Sequence, residues 1–302
     1  MSSNDFVDEF KKRFLSIGCG ITIIILFGLN FVIKDCPSVV GLVAANTLFA
    51  NTYVWNLITS CFYETNILKL AADLVGLWVV TEDINFASDQ FALFFAVCVL
   101  ASSLGTSAIA FIRFFASADE IMLIEPQYGF SGAFFTLSMF ARMHKKEAAI
   151  TQAFPRLTYN NLPFYAFLIQ FMLRILRFRV FARDITFSFI SIPFSWTYLR
   201  FFYRNEDGTL GNHAEEFSFV NMFPAPFLPV VIPLTTAFYN LFAIAGLFPP
   251  LESGEKKSQH HLRYGDTGIA VGTDAQELLK REDAKVIMER RRAKAMKVLS
   301  PS

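Results

Sequence analysis

Between Phe14 and Ile33 the chain carries no charged residue, and this run is bounded by Lys11-Lys12-Arg13 on one side and Lys34-Asp35 on the other. Crossing about 30 Å of hydrocarbon takes roughly 20 apolar residues at about 1.5 Å each. The run meets that requirement and so directs the chain to a membrane fold. Composition agrees: 54% of the 302 residues are hydrophobic and 18% charged, against about 25% charged in soluble domains. Phenylalanine alone accounts for 36 residues, and the mean hydropathy is +0.41. Lipid is the solvent such a surface requires, and the bilayer is the first expected partner. The formal net charge of +1 says little by itself, because the charges are unevenly distributed; no nucleic-acid partner is expected. The charges gather at the two ends and in short connectors.

Five further apolar runs follow. The second, about Leu68 to Val80, is interrupted by Lys69 and Asp73, which stand four apart on one helix face and are placed to pair. The others are Phe91 to Ile112, Pro126 to Ala141, about Tyr159 to Leu173, and Ile185 to about Phe202. The expected fold is therefore an all-α membrane protein, with a six-helix transmembrane bundle over residues 14–204 after a short N-terminal segment, residues 1–13. The loop after the first run begins at Cys36 and closes with Tyr53 to Thr59. Trp55 within it suits a membrane interface, where an amphipathic ring keeps one edge wet. Cys19 and Cys98 lie inside apolar runs. Cys36 and Cys61 flank the loop and would join only if it faced an oxidising compartment. The first run is too long for the core of a cleavable signal peptide, and no small-residue cleavage site closes it.

Short connectors carry the orientation signal. One side collects Lys11, Lys12, Arg13, Arg142, Lys145, Lys146, Arg156, Arg200 and Arg204; the other collects Lys34, Arg113, Arg174, Arg177, Arg179 and Arg183. Nine against six puts the N-terminus in the cytoplasm, and six spans return the C-terminal tail to the same side. Residues 205–251 form a proline-rich apolar segment in which Pro224, Pro226, Pro229 and Pro233 argue against a crossing. We expect it to lie on the membrane, ending in an interfacial helix around Leu234 to Phe248. The polar tail, residues 252–302, holds an expected amphipathic helix at about 275–298. From Glu277 to Lys297 eight basic residues face four acidic ones, and Leu279, Val286 and Met296 lie on its thin apolar stripe. Such a face suits anionic headgroups or a protein partner.

One motif has catalytic potential: Gly129, Ser131 and Gly132 at the opening of the fourth span. A serine between glycines at a helix start is how an intramembrane serine protease presents its nucleophile, but the hydroxyl needs a base. The four histidines, His144, His213, His260 and His261, lie outside every apolar span. Lys69 is the one alternative near the membrane interior. Ser131 therefore reads as a small residue packed at a helix crossing, the motif as vestigial, and no catalytic residue is assigned. Asp73 and Asp184 sit near span ends; Asp184 reads as a capping residue beside Arg183. No phosphate-binding glycine loop, HExxH or paired CxxC occurs, so neither a cofactor nor a metal is expected.

The order of elements resembles the rhomboid-like superfamily, and within it the transmembrane protein 115 family. The resemblance rests on Val54-Trp55 through Thr59 to Glu64, on Gly129-Phe130 with Gly132, on Ser195 to Phe201 including Trp196, Tyr198 and Arg200, on His213 to Phe219 with Phe223-Pro224, and on Arg263 to Asp266 with Gly272 to Gln276. It implies a catalytically inactive, multi-pass Golgi membrane protein that assists retrograde transport to the endoplasmic reticulum. Its cytoplasmic tail would contact the conserved oligomeric Golgi tethering complex, with membrane-protein clients and a second copy of the chain as further partners. Trp55, Glu64, Trp196, Tyr198, Arg200, Leu279, Val286 and Met296 would be its structural or partner-binding residues. Ser131 is more of the protease motif than such a protein needs. Two readings stand against this one: an active intramembrane protease using Ser131, and a derlin-like pseudoprotease of endoplasmic-reticulum quality control.

Overall fold

The computed structural model describes residues 3–50, 52–81, 84, 89–150, 157–205, 208–212 and 214–244. These residues form helices and turns with no strand, apart from three isolated bridges, of which Leu42–Gln127 matters below. The chain divides into two compact units, Met1–Pro224 and Ala225–Ser302.

In the first unit a helix lies at each of the six expected positions. They are α1 (Ser3–Gly28), α4 (Ile67–Thr81), α5 (Asp89–Ser117), α7 (Ser131–Lys145), α8 (Leu162–Ile175) and α10 (Ile185–Phe201). Short helices fill the connections: α2 (Cys36–Val40), α3 (Asn56–Thr59), α6 (Ile121–Ile124) and α9 (Arg179–Ala182). Among the described residues α5 alone is long and apolar enough to cross a bilayer by length and composition. Its 29 residues extend about 43 Å. Two helices start later than expected. Residues 126–130 are an approach rather than a first turn, because Gln127 is tied to Leu42 by two backbone bonds of 2.8 Å and Gly129 has φ +144°. The fifth starts at Leu162, with Pro163 in its first turn, where a missing N–H leaves nothing unpaired.

The centre of the bundle is α10, packed most extensively on α5 and α7. Small hydroxyl residues permit that approach. Ser188, Ser191 and Ser195 on α10 have no exposed surface. Ser191 donates to the Gly132 carbonyl at 2.6 Å, and Ser195 to the Thr136 hydroxyl at 3.1 Å. Across from them Ser103 on α5 donates to the Leu57 carbonyl at 2.6 Å. Lipid gives helices no hydrophobic reason to associate, so close contact through small side chains and interhelical hydrogen bonds carries the packing. Aromatic rings fill the rest, with Phe91 4.5 Å from Phe140 edge to face. All four cysteines are free and buried, so Cys36 and Cys61 are not joined.

After α10 the chain folds back as a strap that belongs to the same unit. Gly211, at φ +71°, lies so close to Arg200 that a Cβ would meet its carbonyl oxygen at 2.2 Å. In the second unit a helix, α11 (Leu228–Ile244), runs through Pro233. It begins six residues before the expected interfacial helix, because Pro229 falls in the first turn, where proline is tolerated. Thr235 and Thr236 donate their hydroxyls to the carbonyls of Val231 and Ile232, one turn back. The expected tail helix at 275–298, with Leu279, Val286 and Met296, lies outside the described residues.

Candidate functional site

Ser131 is the first residue of α7, so its N–H and that of Phe130 have no partner within the helix. Phe130 precedes it and has no side chain to cap them. Two remote carboxyl groups do so instead. Glu64 accepts from the Phe130 N–H at 3.3 Å and Asp184 from the Ser131 N–H at 3.1 Å. A helix N-terminus favours negative charge, and here the protein supplies that charge from its own chain.

The loop carrying Glu64 is held from several sides. Asn30 donates to the Glu64 carbonyl at 2.9 Å, the Tyr63 hydroxyl donates to Asn30, and the Thr65 and Tyr128 hydroxyls are 3.1 Å apart. The Gly129 N–H donates to the Ser60 carbonyl at 2.9 Å. Asp184 immediately precedes α10, and its side chain turns inward rather than capping its own helix. It also accepts from Gln170 at 2.8 Å, whose amide oxygen takes the Ser188 hydroxyl. Lys69 closes the cluster: its ammonium reaches Glu64 at 3.0 Å, Asp73 at 2.8 Å and Asp184 at 3.2 Å. The expected Lys69–Asp73 pair is thus present, but as one contact of three. Asp184 corrects the expectation of a capping residue beside Arg183. Arg183 instead lies over the Tyr128 ring, 4.9 Å from its centroid, and donates to the Tyr128 hydroxyl. A cleft of about 120 Å³ opens onto the cluster between Glu64, Lys69, Tyr128, Arg183 and Asp184, room for several waters.

Among the described residues the Ser131 hydroxyl faces a carbonyl rather than a base. Its hydroxyl donates to the Asp184 main-chain oxygen at 2.9 Å. Lys69 is an ammonium with each of its donors directed at a carboxyl, so it holds its proton. His144 sits at the other end of α7, about 20 Å along the helix axis, against the Phe140 ring. His213, His260 and His261 lie outside the described residues. Gly129 and Gly132 serve packing: a Cβ at Gly129 would meet Asp184 Oδ2 at 2.3 Å, and one at Gly132 would meet Phe187 Cβ at 3.3 Å.

The other expected residues fall in two places. Trp55 is half exposed, stacked on Tyr53 at 4.7 Å, and donates to the Val39 carbonyl at 3.2 Å. Trp196 and Arg200 hold the strap. The Trp196 indole N–H donates to the Phe217 carbonyl at 2.8 Å, and Arg200 Nη1 donates to the carbonyls of Asn212 at 3.0 Å and Ala214 at 2.6 Å. Tyr198 packs 5.4 Å from Phe94. Arg142 completes the clamp: it donates to Asn160 at 3.0 Å and to the Ser218 carbonyl at 2.9 Å, with Phe217 under its guanidinium. Gln170, Arg142, Ser188 and Ser191 carry no functional reading in the sequence, and Ser195 enters only within the Ser195 to Phe201 motif. The one available signal was polar residues inside apolar runs, at i, i+3 and i+7 in the case of Ser188, Ser191 and Ser195.

Comparison with known proteins adds to this. The chain is similar to Rhomboid-like protein 19 of Arabidopsis thaliana, 23% identical over 238 residues, which covers 76% of this chain and 75% of the relative. No solved structure matches. A family model described as Eukaryotic integral membrane protein (DUF1751) matches residues 13–301. The helical bundle, the glycine-flanked serine at the start of α7 and the relative's name all fit a rhomboid-like protein, and the chain belongs to this eukaryotic integral membrane protein family.

Proposed function

We propose that this protein is a non-catalytic, rhomboid-like protein of the Golgi membrane that assists retrograde transport to the endoplasmic reticulum. The observation that carries the non-catalytic reading is the occupied start of α7. In an acyl-transfer enzyme the backbone N–H groups beside the nucleophile are kept for the developing oxyanion. Here Glu64 and Asp184 take them, and a second negative charge at that point would be repelled. Six crossings, with both termini in the cytoplasm, agree with the basic connectors. The bundle would hold membrane-protein clients, and the basic tail would recruit the conserved oligomeric Golgi complex. The likeness at Trp55, Glu64 and the Trp196–Arg200 clamp supports this assignment, as does the net positive tail.

Two outcomes test it. Ser131→Ala removes one buried hydrogen bond, worth about 1 kcal/mol, and leaves trafficking unchanged. A cell assay in which cleavage of a membrane client is lost with this substitution would replace the proposal with the protease reading. Proximity labelling from the C-terminus should enrich Golgi tethering subunits with the full chain and lose them on truncation after Glu252. Enrichment of degradation machinery instead, or labelling unchanged by truncation, would end the tethering role.

A further inference from the structure

The Lys69 cluster does not balance in charge. A lysine ammonium has three N–H donors, and here they face three different carboxyls. With every group ionised the four side chains sum to −2 in an enclosed site, which proteins avoid by neutralising a member. Among the described residues Arg183 forms no ion pair with these carboxyls; it is exposed to solvent and its guanidinium lies over the Tyr128 ring. Asp184 accepts from Lys69, Gln170 and the Ser131 N–H, so each of its oxygens already faces a donor. Glu64 and Asp73 both approach the same ammonium, at 3.0 and 2.8 Å. Two carboxyl groups gathered on one ammonium in an enclosed site are relieved of their mutual repulsion when one proton is held on the pair.

We infer that Glu64 and Asp73 share one proton in the folded bundle, and that its loss unlatches the Glu64 loop from the start of α7. The route for the proton is the cleft, which Glu64 lines. The charged and titratable groups facing Glu64 or its cleft are Lys69 and Asp73 from α4, Asp184 and Arg183 before α10, Tyr128 before α7, and the adjacent Tyr63. The ends of α1 and α8 contribute the neutral amides of Asn30 and Gln170. Once the proton leaves, Glu64 and Asp73 repel each other across Lys69. The contact that yields is Glu64 to the Phe130 N–H, the longest in the set at 3.3 Å.

The direction of the pH dependence follows. Burial holds the Glu64 carboxyl well above the ordinary carboxylate range; Lys69 opposes the rise, and Asp73 and Asp184 add to it. The folded state therefore binds the proton more tightly than the unfolded chain does. The stability this confers is fully present below the unfolded value, about 4.3, and is lost as pH rises through the folded one. The latch is closed in acid and released toward alkaline pH.

The test is infrared spectroscopy of the full chain in lipid nanodiscs, titrated from acid to alkaline pH. The wild type should show a carbonyl band of a protonated carboxylic acid that persists above the free-carboxylate range and then disappears in one step. Glu64→Gln and Asp73→Asn should each abolish the band and flatten the fall of the unfolding midpoint with pH. Hydrogen exchange on the wild type gives a second readout that needs no variant. Protection of the Phe130 amide should drop as the band is lost, by more than base catalysis accounts for in the other helix starts, while that of Ser131, held by Asp184, stays. No such band in the wild type, a band that survives both substitutions, or amide protection indifferent to its loss would each overturn the inference.

Discussion

Lys69→Met is expected to abolish stable folding, or to lower stability by about 3–5 kcal/mol, the range for removing one partner of a buried ion pair. Methionine matches the length of the lysine stem, so the loss is electrostatic rather than a cavity. Three carboxyls within 3.2 Å of the ammonium would face one another without a cation, and the caps on α7 would go with them. For a unit of this size 1 kcal/mol moves a thermal midpoint by about 2–4 °C, so a fall of roughly 10 °C in detergent micelles is the readout. Lys69→Arg keeps the charge, but its planar fork cannot aim at three separate carboxyls, and it should fall between the two. A Lys69→Met protein that melts with the wild type would mean the cluster does not hold the bundle.

Gly129→Ala should be nearly as damaging, at about 2–6 kcal/mol. Two causes add: a backbone conformation that alanine rarely adopts, about 1–3 kcal/mol, and overpacking in a filled core, about 1–3 kcal/mol. The new methyl would arrive 2.3 Å from Asp184 Oδ2 and 2.5 Å from its Cβ, at φ +144°. Asp184 would have to leave both Lys69 and the Ser131 N–H. Gly132→Ala is the comparison, because its Cβ would meet Phe187 at a merely tight 3.3 Å. Thermal midpoints should rank wild type, then Gly132→Ala, then Gly129→Ala. Equal losses at the two glycines would remove the special role assigned to Gly129.

The glycine-flanked serine was legible as a motif, and its meaning was not. In the sequence Gly129 and Gly132 look like the surroundings of a nucleophile. In the structure the first makes room for Asp184 and the second for Phe187, and Ser131 offers its hydroxyl to a carbonyl. Spacing placed Lys69 beside Asp73, because i and i+4 share a helix face whatever the fold. Asp184 was visible only as a single residue near a span end, and Glu64 only as the close of a motif in the resemblance. Asp184 is 115 positions from Lys69, and no local rule connects residues so far apart. The same holds for the strap, where carbonyls of Asn212, Ala214, Phe217 and Ser218 meet Arg200, Trp196 and Arg142. Carbonyls have no sequence signature.

Hydrophobic run length and charge placement alone located the six long helices of the first unit, since in lipid each segment must satisfy its own backbone and can announce itself locally. Which polar side chains meet inside was decided by the tertiary structure alone. Burying one ammonium requires carboxyls from several segments at once, and only the packing of α4, α7, α8 and α10 brings Glu64, Asp73 and Asp184 around Lys69.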